Sequence, residues 1–381
     1  LIGRFLHKHS FKRVLGGKEI MAEEESIKFS VPKSVFYNPQ MHFCRSFASL
    51  AVGAIEKDLV VCDAFCASGI RGIRYANENP NVKEIIFLDI EKAAISAAKK
   101  NAKANKVRKA NFVHGNISKK VFDIAADFLE IDPFGSPSPY IYDAFRVFNP
   151  LKQAYLSVTA TDVAVLCGAK TKACMKNYHS KPLNNKFTHE TGLRIMIKKI
   201  AEVASEFNMG IEPVVSISKQ HYLKSIIRVT RGAERADKSL NSLGYVNYCK
   251  KCGFRSSSQF PIQKCIACKS ETQYAGPLWL GEIHETKFLD KMLKLNESRK
   301  LVHKNDLEKI LSRMKSEVNL PPYYYDVHQL CRFFDKKEVP KIDEIIACLK
   351  KKKHKAGRTH FMQTAIKTDA GLTIIKRCFP K

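Results

Sequence analysis

The chain has 381 residues, and its 65 Lys plus Arg stand against 37 Asp plus Glu, a formal charge of +28. The length admits two domains, each with a core of its own, and no stretch approaches the ~18 consecutive apolar residues of a membrane-spanning helix. Charge for solubility alone does not need so large a basic excess. It implies a polyanionic partner, nucleic acid first, whose affinity falls steeply with salt.

Residues 1 to 20 are basic and partly apolar, without the uninterrupted apolar run and cleavage site of a secretory signal. They are expected to be an extension with no role in the fold. From about residue 59 to 162, apolar runs alternate with helical stretches. LVVCDAF (59–65), EIIFLDI (84–90), ANFVHGN (110–116), DFLEID (127–132) and AYLSVTAT (154–161) read as buried strands. Strand, helix, strand in repetition means a parallel sheet covered on both faces. A long amphipathic helix is expected over 189–207. Two strands joined by a tight turn follow over 211–232, an antiparallel addition at one edge of the sheet. The polar AERADKSLNSLG then marks a domain boundary, beyond which helices and a closing hairpin around Asp369-Ala370-Gly371 suggest a winged-helix-like unit.

Three motifs carry chemistry. The first strand ends at Asp63 and runs into ASGIRGIR, where Gly69 and Gly72 let the backbone pass close to a ligand at a helix N-terminus. Twenty residues after Gly69 the next strand ends at Asp89, followed by Ile90, placed to accept from ribose hydroxyls. Ala67 occupies the first glycine position of a dinucleotide fingerprint. S-adenosylmethionine, with no pyrophosphate to cradle, therefore fits better than NAD.

The second motif is EIDPFGSPSPY (130–140). In such a sheet chemistry gathers beyond the carboxyl ends of the strands, so Asp132 shares a rim with Asp63 and Asp89. Acid, proline, aromatic at this place suits methyl transfer to an exocyclic amine of a nucleobase. That amine is a poor nucleophile, because its lone pair is delocalised into the ring. Asp132, accepting one N–H beside a backbone carbonyl in the Pro133 loop, frees the lone pair and takes up the proton. Phe134 can stack on the base, worth roughly 1–3 kcal/mol.

The third motif is Cys249-x2-Cys252 and Cys265-x2-Cys268, the spacing of two knuckles closing on one structural Zn²⁺ with no open coordination position. The other eight of the 12 cysteines, Cys348 and Cys378 among them, read as reduced thiols of a cytoplasmic protein. From Leu240 onward 28 Lys plus Arg face 14 Asp plus Glu. The run Lys350–Lys353 is a candidate phosphate contact. The tyrosines 323–325 read as a core edge, and Trp279 as structural.

These motifs together resemble the tRNA guanosine-26 N2-dimethyltransferases, most nearly the archaeal ones. FYNPQM (36–41) followed by Arg45, DAFCASGIRGIR, FLDIE, EIDPFGSP, VTATD, HETGLRI, HYLKSIIRVTRG, the paired CxxC, GPLW, LPPYYYDVHQL, GRTHF and IKTDA fall in that family's order over about 29–376. The chain departs from the pattern at Cys44 and Ser46, where Asn and Asp flank the arginine, and at Asn116, where an acid is usual. It also departs at Met362-Gln363 and at Gly371. The resemblance implies a Rossmann-like, S-adenosylmethionine-dependent (class I) methyltransferase domain over 29–235, after an extension of 1–28. A smaller α+β, zinc-containing tRNA-binding domain over 240–381 would follow. It implies a donor held by Arg45, Arg71, Asp89 and the Asn116-Ile117 turn, Asp132 as proton acceptor, and a guanine pocket walled by Phe36 and Phe134. The protein would act on tRNA as a monomer, with no obligate protein partner. Two other readings stand beside this one. An adenine N6-methyltransferase would use the same loop, and a nucleic-acid-binding protein could carry an inert transferase domain.

Overall fold

The computed structural model describes residues 19–148 and 151–380. The chain opens with a hairpin, Glu19–Glu24 (β1) and Ile27–Pro32 (β2), followed by helix His42–Gly53 (α1). Strands and helices then alternate: Leu59–Asp63 (β3), Ile70–Glu78 (α2), Val82–Asp89 (β4), Lys92–Ala104 (α3), Ala110–His114 (β5) and the short Ile117–Lys120 (α4). Phe128–Ile131 (β6), Ser138–Phe148 (α5), Gln153–Ala160 (β7), Val163–Leu166 (α6), Thr171–Tyr178 (α7) and Thr188–Glu206 (α8) continue the pattern. Met209–Lys219 (β8) and Tyr222–Arg231 (β9) complete a seven-stranded sheet of order β5-β4-β3-β6-β7-β9-β8.

The first five of these strands run parallel, and β9 lies antiparallel between β7 and β8. This is the doubly wound sheet that the alternating pattern implies, with the Rossmann-like order that the resemblance implies. The strand order reverses between β3 and β6, and that switch point opens a crevice beyond their carboxyl ends. Two buried clusters cover the faces. One gathers Leu129, Phe145, Phe148, Leu156 and the apolar side of α8; the other gathers Phe47, Val61, Ile73, Phe87 and Ala98.

Expectations for the two ends of the chain, for the domain boundary and for the cysteines are corrected here and below. Residues 19–28, set aside with the extension, form the hairpin: Ile27, Phe29 and Val31 are buried against α1 and α3, and Asn101 bonds Ser30 on both its backbone groups. Residues 1–18 of that extension lie outside the described residues. The polar stretch read as a boundary is a helix, Ala233–Asn241 (α9), which buries Ala236 and Ser239 against β8; Ser239 Oγ accepts from Ile211 N at 2.9 Å. The expected closing hairpin is instead a strand followed by a helix, as described next.

Beyond α9, Leu243–Tyr248 (β10), Arg255–Ser258 (β11) and Gln273–Trp279 (β12) make an antiparallel ribbon of order β11-β10-β12. Thr286–Ser298 (α10) and Lys304–Glu317 (α11) follow; α10 packs back onto α1, and α11 packs on α10. The chain ends with Tyr325–Asp326 (β13), Val327–Phe333 (α12), Ile342–Lys351 (α13), Ala356–Arg358 (β14), Ala365–Thr368 (β15) and Leu372–Lys376 (α14). The order helix, strand, two helices, hairpin, with β15 between β13 and β14, is that of a winged helix. The wing is β14–β15, one element earlier than the sequence suggested. Gly371 opens α14 because Leu372 and Ile375 recur at helical spacing and turn onto the same small core. Cys348 and Cys378, expected as separate reduced thiols, are joined in a disulfide that ties α14 to α13.

Candidate active site

Asp132 follows β6 directly, so it stands on the rim of the sheet at the switch point. Its carboxylate is partly exposed and is held by the Arg71 guanidinium, which comes from the first turn of α2. Arg71 also lies 3.9 Å from Glu130, two residues before Asp132 and fully buried. Glu130 in turn accepts from Lys224 Nζ at 2.5 Å and from Tyr75 Oη at 2.7 Å. Burial raises the Glu130 carboxyl, but the Lys224 and Arg71 charges outweigh it, and the group lies below its ordinary range. Asp63 has no such cation bonded to it. Gly72 N donates to it at 3.2 Å, yet burial, against the pull of Arg71, pushes its carboxyl up to about 7.

The loop after Asp132 is stiff and anchored. Pro133 is buried, and Gly135, at φ 78°, turns the chain so that its N–H reaches Thr161 Oγ1 at 2.8 Å and its carbonyl takes Thr161 N at 3.0 Å. Phe134 is thereby left 75% exposed. Across from it stands Phe36, 53% exposed, with ring centroids 4.5 Å apart at 82°. The two rings the sequence reading assigned to one pocket, about a hundred residues apart, do meet.

The donor-side residues gather on the same rim. Gly69 caps α2 at φ 80°, where a Cβ would come within 2.9 Å of Ala98 Cβ. Asp89 accepts from Ala67 N at 2.9 Å and from Glu91 N at 3.0 Å, which fixes its carboxylate at the end of β4. Ile90 beside it is 59% exposed. Asn116 sits at the neighbouring strand end and caps α4, its side-chain oxygen accepting from Ser118 N at 2.8 Å, while Ile117 is buried. A carboxylate, a guanidinium and an exposed apolar side chain thus share one rim beyond the carboxyl ends of the strands, where ligands of such sheets bind.

Arg45 is placed differently from the other candidates. Its guanidinium is buried against Glu24 of β1, with Nε 3.0 and 2.9 Å from the two carboxylate oxygens, and it donates to Asn38 O at 3.0 Å. Tyr37 Oη also donates to Glu24, at 3.0 Å. The loop that carries Phe36 is thus strapped to the hairpin. Arg74 reaches Glu24 at 3.2 Å, Ser46 Oγ at 3.0 Å and Glu78 of its own helix at 2.6 Å, so Glu24 of the hairpin bridges the two arginines while Glu78 of α2 completes the set.

The four cysteines of the ribbon converge. Their sulfurs lie within 4.8 Å of one another, with Cys249–Cys268 at 3.5 Å and Cys252–Cys265 at 3.6 Å. Each knuckle turns through one residue of positive φ after its second cysteine, Gly253 and Lys269. A tetrahedral set with metal–sulfur bonds of about 2.3 Å spaces its sulfurs by about 3.8 Å, so the cluster fits a metal ion. Hydrogen bonds from Ser270 bring the Cys268 thiol down to about 6, whereas burial pushes Cys249 up and Cys252 up to about 12, so it is the spacing of the sulfurs that fits a metal. Tyr324, Tyr325 and Trp279 are buried, in keeping with a structural role, and Lys350–Lys353 are exposed.

Comparison with known proteins places this geometry. The N2,N2-dimethylguanosine tRNA methyltransferase family matches residues 16–379. The chain belongs to this family. It is 33% identical to a tRNA (guanine(26)-N(2))-dimethyltransferase of Methanobrevibacter smithii, over 97% of each chain. It is 34% identical to that of Pyrococcus abyssi, over 94% of this chain and 95% of the relative. The solved structure of Trm1 from Pyrococcus horikoshii with S-adenosyl-L-methionine superposes with a TM-score of 0.86 at 31% identity. That match covers 95% of this chain and all of the other. Within the family frame, sequence reasoning missed Glu130 and Lys224, the polar floor of the site, and Glu24. A single charge inside an apolar strand, as in FLEI and YLKSII, was the available signal for the first two.

Proposed function

We propose that this member of the family transfers two methyl groups from S-adenosylmethionine to the exocyclic N2 of guanosine 26 in tRNA, with Asp132 accepting the amine proton. The observation that carries the reading is the meeting of Asp132, Phe134 and Phe36 at the switch point of a methyltransferase sheet. Asp89, Ile90, Gly69 and the Asn116-Ile117 turn would hold the donor, with Arg71 toward its carboxylate; bound there, it supplies a methyl on a positively charged sulfur.

The base must leave the tRNA stack, and the two rings, in edge contact at 4.5 Å, must part to admit it. Phe36 and Phe134 then exclude water from its faces. The Asp132 carboxylate accepts one N–H of the amine, and the proton passes to it as the N–C bond forms. For the second transfer the amine turns, so that its remaining N–H faces the same carboxylate. Arg45, tied to Glu24 and Asn38, acts through the Phe36 loop. The ribbon would take a structural Zn²⁺, and the basic surface around Lys350–Lys353 would meet tRNA phosphates. A cytoplasmic monomer is the state in which we expect it to work. No helix among the described residues is long and apolar enough to cross a membrane.

The test incubates the purified protein with an unmodified tRNA transcript carrying G26 and labelled S-adenosylmethionine, followed by nucleoside mass spectrometry. N2,N2-dimethylguanosine at position 26 is the expected product. N6-methyladenosine, or no product with tRNA still bound, overturns the reading.

A further inference from the structure

Asp162 opens helix α6, where an aspartate ordinarily caps with its side chain. Here no side-chain cap bond forms. Both carboxylate oxygens instead lie 3.0 Å from Tyr178 Oη, which donates to them, and Ser136 Oγ stands 2.8 Å from the same phenol. Ser136 is two residues past Phe134. Thr161, one residue before Asp162, is the residue bonded in both directions to Gly135. The ring that walls the base and the Asp162 carboxylate are therefore carried on one cross-linked unit, at the ends of neighbouring strands β6 and β7.

A carboxylate offers about four acceptor positions, and the one proton of the Tyr178 phenol occupies only part of them. Asp162 is half-buried and keeps acceptor capacity on the rim where the base enters. Burial, only partly offset by the Tyr178 and Ser136 hydroxyls, holds its carboxyl above the ordinary range.

The edge of guanine that carries the reacting amine presents two kinds of donor side by side, the N2 amine and N1–H. Adenine presents a bare acceptor at N1. If Asp132 takes an N–H of the amine, a second carboxylate on the same rim complements N1–H and repels the lone pair of adenine. We infer that Asp162 is the residue that selects guanine, by accepting N1–H of the base whose N2 faces Asp132. This rests on the guanine-26 reading above, and it makes Asp162 more than an anchor for the loop.

The experiment compares tRNA carrying G26 with tRNA carrying 2-aminopurine at 26, a base that keeps the 2-amine but has an acceptor at N1. Product formation by the wild-type protein on G26 establishes the underlying reaction independently. The wild type should prefer G26 by at least about tenfold in kcat/KM. Asp162→Asn, whose amide can donate to N1, should lose activity on G26 and shift the preference toward 2-aminopurine by at least about tenfold. Tyr178→Phe, which loosens the loop and keeps the carboxylate, should slow both substrates in equal proportion. Two results overturn the inference: equal use of both substrates by the wild type, or an Asp162→Asn protein that slows both equally, as Tyr178→Phe does. A thermal melt of Asp162→Asn within a few degrees of wild type accompanies the ratio, and the ratio itself is insensitive to the fraction folded.

Discussion

Asp132 and Arg71 form one unit, because the guanidinium that would face a donor carboxylate also touches the proton acceptor. Asp132→Ala should cut methylation by at least about 100-fold while tRNA binding survives, measured by single-turnover product formation beside a filter-binding assay. Loss of tRNA binding together with activity would place Asp132 in docking instead. Asp63 makes a separate, pH-dependent prediction. Its folded carboxyl is raised to about 7, against an ordinary value of 3.8. The native state then holds a proton that the unfolded chain has released, so stability is lost as pH rises from about 4 toward about 7. Asp63→Asn, which can still accept from Gly72 N, should raise the melting temperature more at pH 8 than at pH 5. An equal effect at both pH values would mean that Asp63 stays ionised throughout. Asp132, Phe134 and Asp89 were legible because each closes an apolar run, where strand geometry alone puts a residue on the rim. Glu130 and Lys224 were not, since their partners lie 94 residues apart and only the pairing of β6, β7 and β9 brings them together.

The hairpin β1–β2 shows what element-level reading misses. MAEEES reads as a polar start, and three acids in a row give no apolar period. The alternation of Ile27, Phe29 and Val31 was the local sign of a strand with one buried face. Glu24 became informative only when folding set it against Arg45 and Arg74. Its carboxyl is raised by burial and lowered by more through the Arg45 and Arg74 charges, to about 2. The sign is opposite to that of Asp63: this stability is present above about 4.5 and is lost as pH falls toward 2, and it is on the order of 3 kcal/mol. Glu24→Gln should therefore lower the melting temperature at pH 7 and flatten its fall below pH 4. Because Glu24 holds Tyr37 and Arg45 on either side of the Phe36 loop, the same change should slow turnover even where the protein is fully folded. A Glu24→Gln enzyme that melts lower yet turns over normally well below its melting temperature would reduce the hairpin to a stabilising clasp. The closing hairpin failed for a related reason. A Gly after Asp-Ala reads as a turn between strands, and the sequence does not reveal that Leu372 and Ile375 have a helix-shaped place to fill.

At the scale of the molecule, the stretches expected as separate domains, 29–235 and 240–381, share their cores, and that continuity was not legible in the sequence. Val246, Tyr248, Leu278 and Tyr324 of the C-terminal part share one cluster with Leu193, Met196 and Ile197 of α8. Phe288, Leu311 and Met314 share the other with α1. Charges reinforce the join. Lys367 of β15 reaches Glu190 of α8 at 2.5 Å and Glu317 of α11 at 3.5 Å, and Glu317 also accepts from His360. His284, His360 and Glu317 could form a second metal set by spacing, but Lys367 already supplies a cation there. Arg255 of the ribbon lies 4.6 Å over Phe187 and 4.5 Å over Tyr325 of β13, joining the sheet domain, the ribbon and the winged-helix unit. Elements with a common core unfold together, so the protein should show one cooperative transition. The single tryptophan makes this testable, because Trp279 reports on the ribbon while far-ultraviolet circular dichroism is dominated by the many helices around the sheet. If the ribbon holds the proposed metal, a chelator should lower the midpoint seen by both probes by the same number of degrees, because metal held by four folded-state thiolates stabilises whatever unfolds with them. Were tryptophan fluorescence to melt well before the helical signal, the ribbon would be an independent unit and the shared cluster energetically minor. In that case a chain ending near residue 235 should also fold alone. The buried face that α8 gives to β12 argues that it would not, since removing the ribbon leaves that face open to water.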